Sequence, residues 1–254
     1  MPATQVIESH NAIDEIHIIR HVNEPKRLLL VWQSPFDAND GRTRRIVAEL
    51  VKENNTVAFR YLHNGEDFKK AENVGFRPYP AFTNIKKEYS NDITAVFCLR
   101  LPPKKRRDYH IFLRSIRLPE DAITKAMLSD FALLGYSEAR LPGDGFSIIN
   151  PYDEHPSPCE FLSEIAGFRH IVTPEDYDDF PIGTELSFEP DPANPHDPNA
   201  IKIKAGNTHI GYVNRAQTPA FKHWLENNTV KAYIEKKTLM NYELSRVIMF
   251  VEVS

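Results

Sequence analysis

Residues Glu189 to Lys204 read EPDPANPHDPNAIKIK. Pro190, Pro192, Pro195 and Pro198 each lock one backbone angle, so this stretch is stiff. Beside them stand Asn194, Asp197 and Asn199, whose short polar side chains bond their own backbone and favour turns. Ile201-Lys202-Ile203-Lys204 follows, apolar and basic in strict alternation, which is the pattern of a half-buried strand. Gly206-Asn207 then makes a tight turn into His209-Ile210-Gly211-Tyr212-Val213, predicting a hairpin. Upstream, Thr184 to Phe188 alternates as well. Taken by itself, the proline-rich stretch is a rigid connection between strands.

Working outward, Phe168 to Val172 reads as apolar and extended, and Pro219 to Asn227 as a short helix with Phe221, Trp224 and Leu225 on one face. Val230 to Ile234 and Val247 to Val253 read as closing strands. These elements predict a mostly β module with one helix, small enough to curl into a barrel. Asn150 to Pro158, NPYDEHPSP, has no apolar periodicity and reads as a linker. Before it, Leu28 to Trp32 is a buried-strand run, and Arg44 to Leu62 carries two apolar runs around Asn54-Asn55, a hairpin. Asp67 to Asn73 is a helix candidate, Phe76 to Asn84 an ordered loop, and Ala95 to Leu99 a strand. Tyr109, Phe112, Leu113 and Ile116 have helical spacing; a second helix is expected over Ala122 to Leu134, stopped by Gly135. The expected organisation is an arm over residues 1–26, a domain over 27–150 and a domain over 160–254, in a β-rich α+β fold.

The 254 residues, 41% hydrophobic and 26% charged, suit two ordinary globular domains with cores of their own. A formal net charge of −4 excludes a polycation, so nucleic-acid binding would have to come from local contacts. Cys98 and Cys159 form no metal or redox motif and read as reduced thiols. No apolar run reaches membrane-spanning length, and MPATQVIESHNAIDEI lacks the blocks of a signal peptide, so a soluble cytoplasmic protein is expected. No phosphate-cradling loop, zinc-protease motif, nucleophile elbow or kinase set occurs. The chain therefore reads as a binding module with no cofactor and no recognisable catalytic signature.

In the C-terminal part several motifs occur in order. Phe168-Arg169-His170 is followed by an acidic loop, DYDDF (Asp176 to Phe180), then by GTELSF (Gly183 to Phe188), the proline-rich stretch, and Ile210-Gly211-Tyr212-Val213-Asn214-Arg215 before an apolar helix. This succession resembles the HIRAN domain, a module of DNA-repair translocases and of bacterial proteins. The resemblance covers the last third of the chain and is most specific at N-P-H-D-P-N-A-I-K-I followed by G-Y. It implies a barrel related to OB folds that binds single-stranded DNA, notably at a free 3′ end. By motif position, Arg169 would contact phosphate, and Asp197 would accept a hydrogen bond from the 3′-hydroxyl. His170 and His196 would stand where eukaryotic relatives have tyrosines, and Arg215 would hold a second phosphate. Tyr242 would supply a further aromatic.

Elementary chemistry suits these roles. An ionised carboxylate only accepts, so it welcomes a hydroxyl and repels a phosphate. Planar side chains stack on any base, and the guanidinium fork matches phosphate oxygens. Histidine for tyrosine means a smaller stacking surface and a titration, with binding expected to tighten below roughly pH 6.5. Asp176, Asp178, Asp179, Glu189 and Asp191 crowd the same region and oppose DNA binding. A minority reading groups His170, His196 and Asp197, with His209, as metal ligands of a nuclease.

The N-terminal part resembles the N-terminal subdomain of HipA-type toxin kinases. The resemblance rests on Val31-Trp32, V-A-E-L (Val47 to Leu50), F-R-Y (Phe59 to Tyr61), Y-P-A-F (Tyr79 to Phe82), and F-C-L-R-L-P (Phe97 to Pro102) before Arg107-Asp108-Tyr109. It implies a small β-rich scaffold without the kinase core. Lys104, Lys105, Arg106 and Arg107 read first as a solvated turn and second as phosphate contacts. Phe76, Tyr79, Phe82 and Tyr89 read as core and loop anchors. Together the expectations are recognition of single-stranded DNA or DNA 3′ ends, or a regulatory protein-interaction subunit with a protein partner. The company such domains keep adds a prokaryotic repair, mobile-element or phage-defence setting.

Overall fold

The computed structural model describes residues 17–34, 43–54, 56–121, 128–141, 143–238 and 246–254. They divide into two compact units.

One unit comprises Val22–Ile116 and Glu120–Glu154. Its strands are β1 (Arg27–Gln33), β2 (Arg44–Glu53), β3 (Thr56–Tyr61) and β4 (Phe146–Ile149). They form an antiparallel sheet in the order β3-β2-β1-β4, and β2 and β3 pair as the hairpin read from Asn54-Asn55. Alternation along β1 sends Leu28, Leu30 and Trp32 into a single core. Against that face pack Phe68 and Ala71 of α1 (Glu66–Asn73), Ile93 and Phe97 of α2 (Ile93–Cys98), and Phe131 and Leu134 of a later helix (Asp130–Ser137). This helix is α4, because α3 (Tyr109–Ser115) precedes it. Phe76, Tyr79, Phe82 and Tyr89 join the same core. The Phe59 ring lies 4.6 Å from Phe82, and the Tyr61 hydroxyl donates to the Phe82 carbonyl at 2.7 Å while accepting from the Tyr79 N–H.

Two expectations fail in this unit. Ala95 to Leu99 is not a strand: Ala95 to Cys98 belong to α2, and Leu99 caps it. Ile93 and Phe97, four residues apart, bury on one helical face, whereas Leu99 is 83% exposed. Gly135 does not stop its helix, which runs on to Ser137 and ends at left-handed Glu138. A Cβ on Gly135 would stand 2.9 Å from Leu28 Cδ2, so glycine there lets the helix lie close on β1. Of that expected helix, residues 122–127 lie outside the described residues. Sequence reading also misses the buried Arg100, whose Nε donates to the Ala139 carbonyl at 2.6 Å and whose Nη1 meets Asp144 at 2.5 Å.

The other unit comprises His155–Ser254 with Arg117–Pro119 and the segment ending at His21. Its strands are β5 (Cys159–Glu164), β6 (Glu185–Pro190), β7 (Ile201–Ala205), β8 (Thr208–Tyr212), β9 (Val230–Thr238) and β10 (Arg246–Val253). All pairs are antiparallel, in the order β5-β10-β9-β6-β7-β8. The two ends of this order meet, because Ala166, just past β5, exchanges both backbone hydrogen bonds with Tyr212 at 2.9 and 2.8 Å. That bridge closes the sheet towards a barrel. Phe161, Ile203, Ile234 and Phe250 fill it, plugged by fully buried Phe221 and Trp224 of α6 (Thr218–Asn227). Residues 17–21 pack on this unit. His17 stacks on Tyr233 and Phe250 and bonds Glu235 at 2.7 Å, and Glu160 accepts from the N–H groups of Arg20 and His21. Phe168 to Val172 is a correction. Phe168–Ile171 is one helical turn, α5, entered through left-handed Gly167 and closed by the Val172 N–H on the Phe168 carbonyl.

Candidate functional site

The turn between β6 and β7 is held by its own side chains. Asn194 Oδ1 accepts from the N–H groups of His196 and Asp197 at 2.9 and 3.1 Å, and Asp197 Oδ1 accepts from the Asn199 N–H at 2.9 Å. The Asp191 N–H donates to the Ala200 carbonyl at 2.8 Å and closes the base. Four prolines remove further freedom. The turn therefore fixes where His196 and Asp197 stand. His196 is exposed. The second oxygen of Asp197, Oδ2, lies 3.6 Å from Nε of Arg215, which leads into α6.

β8 ties this turn to the Phe168-Arg169-His170 segment. A Cβ on Gly211 would stand 2.3 Å from Ile165 Cγ2 and 2.8 Å from the Ala166 carbonyl oxygen. Only glycine lets β8 run this close to the chain that enters α5. Tyr212 then sits between the two segments: its backbone pairs with Ala166, and its hydroxyl donates to Asp191 at 3.2 Å. Tyr212 was absent from the residues expected to form the site; its place beside Gly211 in the G-Y motif was the available signal. In α5 Phe168 is buried, while Arg169 Nε donates to His170 Nε2 at 3.2 Å. Burial, and then the Arg169 charge, hold the His170 imidazole below its ordinary pKa.

Asp191 and Glu189, two of the crowded acids, each have a lysine partner. Asp191 lies 3.1 Å from Lys202, and Glu189 lies 3.1 Å from Lys204, one strand over. Burial pushes the Asp191 carboxyl up, yet the Lys202 ammonium and the Tyr212 hydroxyl together hold it below the usual range. Asp191 is thus a fixed part of the turn's foundation. Asp176 accepts from the Thr173 hydroxyl at 2.9 Å and lines, with Asp179 and His209, a cleft of about 530 Å³. Arg169, His170, His196, Asp197 and Arg215 are not among its lining residues. His209 is half-buried, its Nε2 3.0 Å from the Gly211 carbonyl.

Among the described residues, no three His, Cys, Asp or Glu side chains are grouped so as to hold a metal ion, and His170, His196 and Asp197 do not form such a group. Tyr242 lies outside the described residues. Lys104 to Arg107 lie in the N-terminal unit, where Lys104 meets Asp130 at 2.5 Å and Arg106 meets Asp108 at 2.6 Å. Burial pushes the thiols of Cys98 and Cys159 up to about 11 and about 12, which suits inert thiols. Among the described residues no helix is long and apolar enough to cross a membrane.

Comparison with known proteins adds the family. Residues 159–250 match the model of the HIRAN domain. Among solved structures, the chain is similar to the crystal structure of the HIRAN domain of human HLTF, at 15% identity and a TM-score of 0.29, over 37% of this chain and 74% of that one. No curated protein matches the chain. The resemblance of residues 27–150 to the HipA subdomain rests on sequence motifs alone. Residues 159–250, less than half of the chain, are thus similar to the HIRAN domain.

Proposed function

We propose that the HIRAN domain of this chain binds single-stranded DNA at a free 3′ end, without catalysis. The observation that carries this reading is the Asp197–Arg215 pair on a turn locked by Asn194. An acceptor for a hydroxyl and a donor for a phosphate stand side by side, as the last nucleotide of a strand requires. Arg169 supplies a second guanidinium, and His170, His196 and Tyr212 supply planar faces for the terminal bases. In the free protein Arg215 neutralises Asp197; a bound end gives Arg215 a phosphate and leaves Asp197 for the hydroxyl.

Titration of a labelled oligonucleotide bearing a 3′-hydroxyl, with the chain and with Asp197→Ala, tests this. Losing a hydrogen bond to a charged group costs about 1.5–3 kcal/mol, so a roughly tenfold or greater loss of affinity is expected. Equal affinity in the variant contradicts the assignment.

A further inference from the structure

The same turn carries a third contact with the helix that follows. Lys222 lies on the second turn of α6, and its Nζ donates to Asn199 Oδ1 at 2.6 Å. The Asn199 backbone N–H in turn donates to Asp197 Oδ1 at 2.9 Å. Lys222 is therefore held beside the turn that presents Asp197, on the side reached by α6, with Arg215 at the base of the same helix. An ammonium has three donors, and Asn199 uses one, which leaves two for oxygens of a ligand. A long, flexible side chain tethered in this way loses little more freedom when it binds a second partner.

From this geometry we infer that Lys222 and Arg215 form a track for two backbone phosphates, so that the strand ending at Asp197 runs out along α6. The inference rests on the 3′-end reading above and adds the path of the strand to it. Asn199 takes part by aiming Lys222. Arg215 serves the phosphate next to the terminal sugar and Lys222 a phosphate further from the end.

The test measures binding of the full chain to an oligonucleotide across a series of salt concentrations, for the unaltered protein, Lys222→Gln and Lys222→Arg. Each phosphate contact on a single strand contributes about 0.7 to the slope of log K against log salt. Lys222→Gln is expected to weaken binding and to flatten the slope by about 0.7, while the preference for a 3′-hydroxyl over a 3′-phosphate persists. Lys222→Arg keeps the charge and is expected to restore both. An unchanged slope in Lys222→Gln, with the hydroxyl preference intact, overturns the track and leaves the 3′-end reading standing. Loss of the hydroxyl preference in Lys222→Gln also overturns it, because Lys222 would then act only by bracing the turn. Absence of oligonucleotide binding in the unaltered chain overturns the 3′-end reading and the track together.

Discussion

Asp197 faces two ways: one carboxylate oxygen braces its own turn through Asn199, and the other faces Arg215. The first contact makes its position reproducible; the second keeps a half-buried acid compatible with a nucleic-acid ligand. His170 shows the opposite balance. Burial and Arg169 both disfavour its charged form, so its pKa is depressed. On the proposed reading, His170 would gain its charge, and add to phosphate binding, at a lower pH than an ordinary histidine. The sign for stability follows from proton counting. Between the depressed folded value and the ordinary value of about 6.5, the unfolded chain binds more protons, so acidification through this range destabilises the fold. An NMR titration of the His170 ring protons is expected to give a midpoint below about 6.5; a midpoint at or above it contradicts this electrostatic account.

Among the elements, the close packing of β8 against the entry to α5 positions the two segments. Gly211→Ala would place a methyl 2.3 Å from Ile165 Cγ2 and 2.8 Å from a backbone oxygen. Overpacking of this kind costs typically 1–3 kcal/mol, so denaturant unfolding of Gly211→Ala is expected to show about that loss; a change under roughly 0.5 kcal/mol, ordinary for a surface site, would contradict the close packing. The hairpin that carries Gly211 was legible in the sequence because Ile201, Ile203 and Ala205 alternate with Lys202 and Lys204, a pattern that only a strand satisfies. Ala95 to Leu99 was not, since five consecutive apolar residues fit a strand and a buried helical turn equally well. Phe168 to Val172, F-R-H-I-V, is too short for its period to decide, and left-handed Gly167 turns it into a single helical turn. The pairing of Asp191 with Lys202 and Tyr212 was beyond reach, because composition shows an acid while only the fold shows which base stands opposite it.

For the whole molecule, the net charge of −4 means that any attraction to DNA is local. The guanidiniums of Arg169 and Arg215 and the ammonium of Lys222 stand on one domain, where Asp191, Glu189 and Asp176 are engaged with Lys202, Lys204 and Thr173. Two to three phosphate contacts predict a salt slope of about −1.4 to −2.1 for single-stranded DNA. A slope near zero in a fluorescence titration would rule out phosphate contacts as a source of affinity. The basic run Lys104 to Arg107 adds little to this, since Lys104 and Arg106 already have acidic partners. Recognition of a free 3′-hydroxyl by the domain is tested by comparing two otherwise identical oligonucleotides ending in a 3′-hydroxyl or a 3′-phosphate. A terminal phosphate brings roughly −1.5 to −2 charges against Asp197, so the hydroxyl end is expected to bind roughly tenfold tighter or more; equal affinity for the two ends would contradict the account.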